Sequence, residues 1–270
     1  MTAFKRPEIV GVVNITADSF SDGGLFLATD AAIAHAEKLL TDGADILDLG
    51  AAASNPHAEH VPVELEIQRL ALVVKHLKKR RARISIDTTK LEVQRWALGE
   101  KVELLNDIRG FPDKSLYSEL KAAGCKLVVM HFISDLDKAV REPKSPKEVF
   151  DSIHSFFEAR LESLTKAGIP DERLIIDPGM GFFLASNPEP SLAVLKHLDE
   201  LKTSFGLPAM IGVSRKSFLK NLGQSEEADM HTRTLSAELF AALKGVDYIR
   251  THEVKALAEA LRVVEAIMKM

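Results

Sequence analysis

Cysteine is all but missing from this chain. Cys125 stands alone among 270 residues, which excludes an intrachain disulfide and a thiolate metal cluster and points to a reducing, cytoplasmic setting. Long hydrophobic runs are absent too. No segment approaches the roughly 18 apolar residues of a membrane span, and the N-terminal MTAFKRPEIV lacks the apolar stretch of a secretory signal. There is no basic excess: the formal net charge is −4, so nothing supports a nucleic-acid partner, and any anionic ligand has to be held by local groups. Low-complexity tracts and short-period repeats are lacking, and REPKSPKE at 141–148 amounts to a mobile loop rather than a domain linker.

What the chain does have is a rhythm. Short apolar runs stop abruptly at polar residues: EIVGVVN at Asn14, DILDLG with Asp48, RISID at Asp87, VELLND at Asn106 and Asp107, KLVVMH at His131, RLIID at Asp177, AMIGVSRK reaching Arg215 and Lys216, and DYIRTH with Arg250 and His252. There are about eight, the number that closes a (β/α)8 TIM barrel, an α/β fold whose strand C-termini all emerge on one face. Between them lie amphipathic stretches. Residues 30–42 place Ala32, Ile33, Ala36, Leu39 and Leu40 on one helical face, with Asp30 as N-cap and Gly43 past the end. Similar segments fall at about 63–79, 90–99, 114–123, 146–167, 189–204, 229–244 and 254–268. At 46% hydrophobic composition the chain fills one core, and the spacing leaves no room for a second domain, so residues 1–270 form one unit. Connections are longest after Asn14 and after Asp48, where lids and substrate clamps usually reside.

The first of these loops, running from Asn14 to Gly24, is too polar and too rich in turn formers for an ordinary connector. It resembles the first signature of the dihydropteroate synthases, and further signatures follow in order: ISIDTTK at 84–90, LLNDIRG at 104–110, VVMH at 128–131, LIIDPGMGF at 174–182, VSRKS at 213–217 and IRTHE at 249–253. Each alone is weak; the ordered set, each at the end of an expected strand, is specific and spans almost the whole chain. The resemblance implies an enzyme that condenses p-aminobenzoate with 6-hydroxymethyl-7,8-dihydropterin pyrophosphate, giving 7,8-dihydropteroate and pyrophosphate, and acting as a homodimer built from helices near the C-terminus.

The residue types suit that chemistry. A pterin edge of ring nitrogens, amino group and carbonyl needs buried carboxylate acceptors and amide or ammonium donors, which Asp87, Asn106, Asp177 and Lys216 supply. By the resemblance, Asp177 and Asn106 grip the pyrimidine edge, Asp87 contacts the reducible ring, Lys216 reaches the carbonyl and Met130 packs on the ring. The alternative for these groups is a structural hydrogen-bond network. Arg250 and His252, two positions apart on a strand, point to the same side and suit a diphosphate; an ordinary ion pair of Arg250 with Asp48 or another strand-end acid is the alternative, and the two are compatible. Asn14 resembles the family's Mg²⁺ ligand. The expected reaction is a dissociative displacement, with Asp18 and Asp87 signed to stabilise the developing cation. The p-aminobenzoate carboxylate is assigned to Ser217, with Ser214, on a turn opening a helix.

Two departures from the family pattern stand out. After Asp48, Asn55 replaces a loop arginine, and Ser54 is expected to take over part of its anion contact. After Asp177, the chain runs Phe182-Phe183-Leu184-Ala185 where Phe-Gly-Lys is more common. These features resemble the sulfonamide-insensitive branch, although Ala185 replaces a glycine typical of it, and Phe183 is expected to narrow the p-aminobenzoate site. His57 and His60 lack a third nearby zinc ligand, KKRRAR at 78–83 reads as a solvated helix end, Trp96 and Cys125 as core, and Gly179 and Gly181 do not form a dinucleotide fingerprint. Two other functions are carried beside the synthase, a pterin-binding methyltransferase domain and a non-catalytic pterin-binding subunit. Neither needs the SRKS and RTH anion contacts.

Overall fold

Eight parallel strands, β1 (Glu8–Asn14), β2 (Ile46–Gly50), β3 (Ile84–Asp87), β4 (Leu104–Asp107), β5 (Lys126–Met130), β6 (Leu174–Asp177), β7 (Met210–Ile211) and β8 (Tyr248–Thr251), lie in the order β6-β5-β4-β3-β2-β1-β8-β7. The computed structural model describes residues 4–15, 22–52, 61–133, 142–220, 222 and 229–270, with backbone alone for 22–28. A parallel bridge between Ile176 and Ala209, with the Ile176 N–H donating to the Pro208 carbonyl at 2.9 Å, joins β6 to β7 and rounds the sheet into a barrel. The expected TIM-barrel architecture is what the chain adopts.

Period two along each strand sorts the side chains. One set, Val10, Ile46, Leu104, Val128, Ile175, Met210 and Tyr248, forms a buried cluster separate from the large core under the helices. Two positions further along the same strands come Val12, Asp48, Asn106, Met130, Asp177, Gly212 and Arg250. An apolar layer thus sits directly beneath a polar one. Register aligns them laterally: Asp87 is opposite Asn106, and Met130 is opposite Asp177.

Helices α1 (Asp22–Asp42), α2 (Val63–Lys79), α3 (Leu91–Gly99), α4 (Tyr117–Ala122), α5 (Pro146–Lys166), α6 (Glu189–Lys196), α7 (Leu198–Phe205), α8 (Ser217–Lys220), α9 (Met230–Leu243) and α10 (Val254–Met268) cover the barrel. In α5, Ser145 and Glu148 form a reciprocal capping box ahead of Pro146, and Val149, Ile153 and Phe157 face the sheet. Val254, Leu257, Ala258 and Leu261 form the buried stripe of α10. Gly11 lies where α1 and α10 close on β1, and a Cβ there would press on Leu39, Ala44 and Val254 at 3.2 Å.

Two expected boundaries shift. Asp30 is not an N-cap: α1 begins at Asp22, despite the helix-weakening pair Gly23-Gly24 in its first turn, and Asp30 is an exposed residue inside it. The helix expected over 189–204 is two helices, broken at His197, which leaves helical geometry and packs edge-on against Phe150 at 5.9 Å. Cys125 is buried and Trp96 packs against the core, as expected. No described helix is long and apolar enough to cross a membrane.

Glu238 of α9 is wholly buried, and neither carboxylate oxygen has a hydrogen-bond partner among the described residues. Burial pushes its pKa up to about 8. A raised folded-state pKa stabilises the fold fully below the unfolded value, and that contribution is lost as pH rises through about 8. Glu238→Gln is therefore expected to melt higher than the parent at pH 8.5, by about 2–4 °C, and to show no gain at pH 5. Equal melting temperatures at the higher pH would contradict this assignment.

Candidate active site

The strand ends enclose a cavity of about 790 Å³ whose wall includes Asn14, Asp87, Asn106, Met130, Asp177, Phe182, Phe183, Ser214, Lys216, Ser217, Arg250 and His252. Residues separated by more than 200 positions meet there because every strand of a parallel barrel delivers its C-terminus to the same face. Asp18 and Ser54, together with Asn55, His57 and His60, lie outside the described residues.

Arg250 organises one side. Its Nε donates to Asp48 Oδ2 at 2.6 Å and a terminal nitrogen donates to Asp87 Oδ2 at 2.9 Å, so a β8 guanidinium links β2 and β3. Burial opposes its charge, but Asp48 and Asp87 outweigh that and hold the arginine firmly protonated. Asp87 is raised to about 7, chiefly by burial, with Arg250 opposing and Asp48 reinforcing. Behind it, Thr88 donates to Glu66 Oε1 at 2.7 Å and Lys90 to Glu66 Oε2 at 2.6 Å, anchoring the turn after β3.

The next two strand ends divide their labour. Asn106 is buried, and its Oδ1 has no partner among the described residues, which leaves an acceptor for a ligand. Its neighbour Asp107 turns away from the cavity and accepts from the backbone of Arg109 at 2.8 Å, the backbone of Phe111 at 3.1 Å and Gln94 Nε2 at 2.9 Å. That grip holds Gly110 and Phe111 at φ values of 65° and 60°. For a phenylalanine this is a strained conformation, fixed here by two further donors, Tyr117 and Arg160, on the Phe111 carbonyl.

Asp177 spends one oxygen on the Gly179 N–H at 2.8 Å and lines the cavity with the other. Burial raises its pKa to about 6, against the Gly179 N–H and Lys216. Gly179 has φ +73°, and a Cβ there would sit 2.6 Å from the His131 carbonyl, so only glycine fits. His131 brackets this turn from behind. Burial lowers its pKa to about 4, so the ring is neutral, donating from Nδ1 to Pro178 O at 3.1 Å and accepting from Ser152 at Nε2, 3.0 Å away.

Lys216 projects inward with its ammonium 4.4 Å from the Phe183 ring centroid. Its pKa falls to about 8, through burial and then Arg250, while Asp177 and Asp87 oppose. Phe183 itself stands edge-on to Phe132 at 5.5 Å, and its carbonyl accepts from Ile133 N at 3.2 Å. Ser214 is committed to His252: its Oγ accepts from the His252 backbone at 3.2 Å and lies 3.1 Å from Nδ1. The His252 pKa drops to about 4, by burial and then Arg250, which keeps the imidazole neutral. Arg215, at φ 59°, directs its side chain to Glu253 at 2.7 and 2.9 Å.

Asp48 is the member least visible in the sequence, where it figured only as a possible partner of Arg250. The apolar walls Val12, Ile108 and Met180, and Lys220 at the rim, were not anticipated. Period two along β1 could have marked Val12, and one helical turn beyond Ser217 could have marked Lys220. Among the described residues no cluster of three or more His, Cys, Asp or Glu is arranged to hold a metal.

Residues 10–252 match the family of pterin binding enzymes. A dihydropteroate synthase type-3 from Escherichia coli is 50% identical over 260 residues, covering 96% of this chain and 99% of that protein. The solved Xanthomonas albilineans dihydropteroate synthase with 4-aminobenzoic acid superimposes with a TM-score of 0.86 at 33% identity, over 99% of this chain and 95% of that one. The Anaplasma phagocytophilum dihydropteroate synthase with bound 6-hydroxymethylpterin-monophosphate gives a TM-score of 0.85 at 30% identity, over 97% and 100% of the two chains. With that identity, that coverage and one acid- and cation-lined cavity at the strand ends, the chain belongs to the dihydropteroate synthases of the pterin binding enzyme family.

Proposed function

We propose that the chain condenses p-aminobenzoate with 6-hydroxymethyl-7,8-dihydropterin pyrophosphate to form 7,8-dihydropteroate and pyrophosphate. The observation that carries this is the convergence of Asp87, Asn106, Asp177, Lys216 and Arg250 on one cavity of about 790 Å³, within the range of small-molecule sites. Asp177 and Asn106 offer acceptors to the amino and ring N–H groups of the pterin, and Lys216 donates to its carbonyl. Met130 supplies an apolar surface for the ring. The diphosphate falls to Arg250 and His252. In the tautomer this role requires, the Ser214 hydroxyl 3.1 Å away donates to Nδ1 and the neutral imidazole keeps its proton on Nε2 as a hydrogen-bond donor.

The displacement is dissociative. The C–O bond to the diphosphate breaks with both electrons leaving on oxygen, the methylene cation is delocalised into the dihydropterin, and the arylamine attacks carbon and loses a proton. Asp87, with Asp18 on the first loop, is signed to stabilise the cation, and no covalent enzyme intermediate is needed. Asn14 is exposed at the end of β1 and offers one neutral hard oxygen. Asn14 would hold a Mg²⁺ ion through that oxygen, and the ion would supply charge neutralisation of the leaving group. The joint presence of the Arg250 and His252 set with the pterin acceptors favours the synthase over a methyltransferase domain or a non-catalytic subunit. Formation of dihydropteroate from the two purified substrates, with and without Mg²⁺, tests this reading; no product with the ion present would overturn it. Exchange of labelled pyrophosphate into the pterin substrate without p-aminobenzoate tests the dissociative order, and strict dependence on the amine would count against it.

Reduced sulfonamide sensitivity is part of the proposal. Phe183 is wedged between Phe132 and Lys216 on the cavity wall, while Phe182 is 47% exposed at the mouth. The Phe183 ring takes space that a sulfonyl group, bulkier than a carboxylate, would occupy. Phe183→Gly is expected to lower the sulfonamide inhibition constant relative to the KM for p-aminobenzoate by about tenfold, a loss of roughly 1.4 kcal/mol of discrimination. An unchanged ratio would remove Phe183 from this role. A homodimer is proposed through the neighbouring helices α9 and α10, where Phe240, Leu243, Val263 and Ile267 are exposed; sedimentation as a monomer would contradict it. A cytoplasmic setting accords with a lone buried thiol at Cys125.

A further inference from the structure

The second substrate carries a carboxylate, and the cavity wall holds four cations to meet it: Arg215, Lys216, Lys220 and Arg250. Three are already engaged. Arg250 is held by Asp48 and Asp87, Arg215 by Glu253, and the Lys216 ammonium lies against the Phe183 ring and between the fields of Asp177 and Asp87. Lys220 is exposed, and its ammonium has no hydrogen bond or ion pair among the described residues. It stands one helical turn beyond Ser217, on the wall that also carries Phe182 and Phe183. The helix that Ser217 opens is only four residues long, so its dipole contributes little to holding an anion. A single serine hydroxyl satisfies one of the roughly four acceptor sites of a carboxylate and brings no charge.

We propose that Lys220 is a specificity-determining residue of the condensation, pairing with the carboxylate of the arylamine substrate while Ser217 donates to it. This rests on the synthase reading above. The amine must point inward to reach the pterin methylene, which leaves the para carboxylate facing outward, and Lys220 is the rim cation on that wall with a free ammonium among the described residues. The residue then selects arylamines by charge as Phe183 selects them by bulk.

The test uses the full chain and steady-state dihydropteroate formation. In Lys220→Met the KM for p-aminobenzoate is expected to rise about 3- to 10-fold, and further in Lys220→Glu, with the KM for the pterin substrate unmoved and Lys220→Arg close to the parent. With p-aminobenzamide, which lacks the charge, the parent and Lys220→Met are expected to coincide. An unchanged KM for p-aminobenzoate in Lys220→Met, or an equal loss with the amide, would overturn the assignment while leaving the synthase reading intact. Absence of product from the parent chain in the same assay would overturn both.

Discussion

Arg250→Met is expected to lower kcat/KM by about 10³-fold or more, because the proposed mechanism has this side chain neutralise the leaving diphosphate while it also fixes two acids. Its guanidinium bonds Asp48 and Asp87 at 2.6 and 2.9 Å, and Asp48 is 1% exposed. Removing the cation leaves those carboxylates facing one another without compensation, a change that costs about 3 kcal/mol of stability when a buried pair is broken. The sign of the pH effect follows. Without Arg250 the folded-state pKa of Asp87, already raised by burial, loses the charge that opposes that rise, so the variant keeps its stability below the unfolded carboxylate value and loses it as pH increases. Its melting temperature is expected to approach the parent's near pH 5 and to fall furthest behind above pH 8. Arg250→Lys is expected to remain strongly impaired, since a single ammonium does not reproduce a planar fork that reaches both acids. A variant within tenfold of the parent rate would show that the diphosphate is handled elsewhere.

Asp177→Asn is the second large effect. The amide retains an oxygen for the Gly179 N–H, so the turn after β6 is preserved, but the oxygen that lines the cavity becomes an NH₂ group. In the proposed pterin pose, donor then meets donor. Loss of charge-assisted hydrogen bonds in a dry pocket is expected to weaken pterin binding by about 10²- to 10³-fold, read by titration with a pterin, with the melting temperature little changed. The parent should show the matching pH dependence. Affinity falls as pH drops through about 6, where Asp177 takes up a proton, and again as pH rises through about 8, where Lys216 loses one. An Asp177→Asn affinity within fivefold of the parent, or a flat pH profile, would count against this pocket.

The barrel was legible because its strands are marked twice, by an apolar run and by the polar residue that ends it. Asn14, Asp87, Asn106 and Asp177 are strand-end residues of this kind, and each lines the cavity. What the sequence concealed depends on distance or on direction. The pairing of Arg250 with Asp48, 202 positions away, is the one the sequence reading named; that its fork also reaches Asp87, 163 positions away, was not specified, because no local pattern encodes how many strand-end acids an arginine will reach. Asn106 and Asp107 look alike as a polar pair, yet alternation sends one inward and the other to the backbone of its own turn. The break at His197 was hidden for a related reason: the apolar spacing of Val194, Leu195, Leu198 and Leu201 suits an unbroken helix, and all four are buried across the interruption.

The apolar layer of Val10, Ile46, Leu104, Val128, Ile175, Met210 and Tyr248 beneath the polar one gives the molecule a sealed floor. A dead-end chamber has one doorway, so its guests must queue. On the proposed assignments the heterocycle, held at the bottom by Asn106 and Asp177, enters first; the arylamine, held near the threshold by Ser217 and Lys220, then bars its exit. Initial-velocity patterns of compulsory order, with the arylamine second to arrive, are the expected kinetic imprint of that floor.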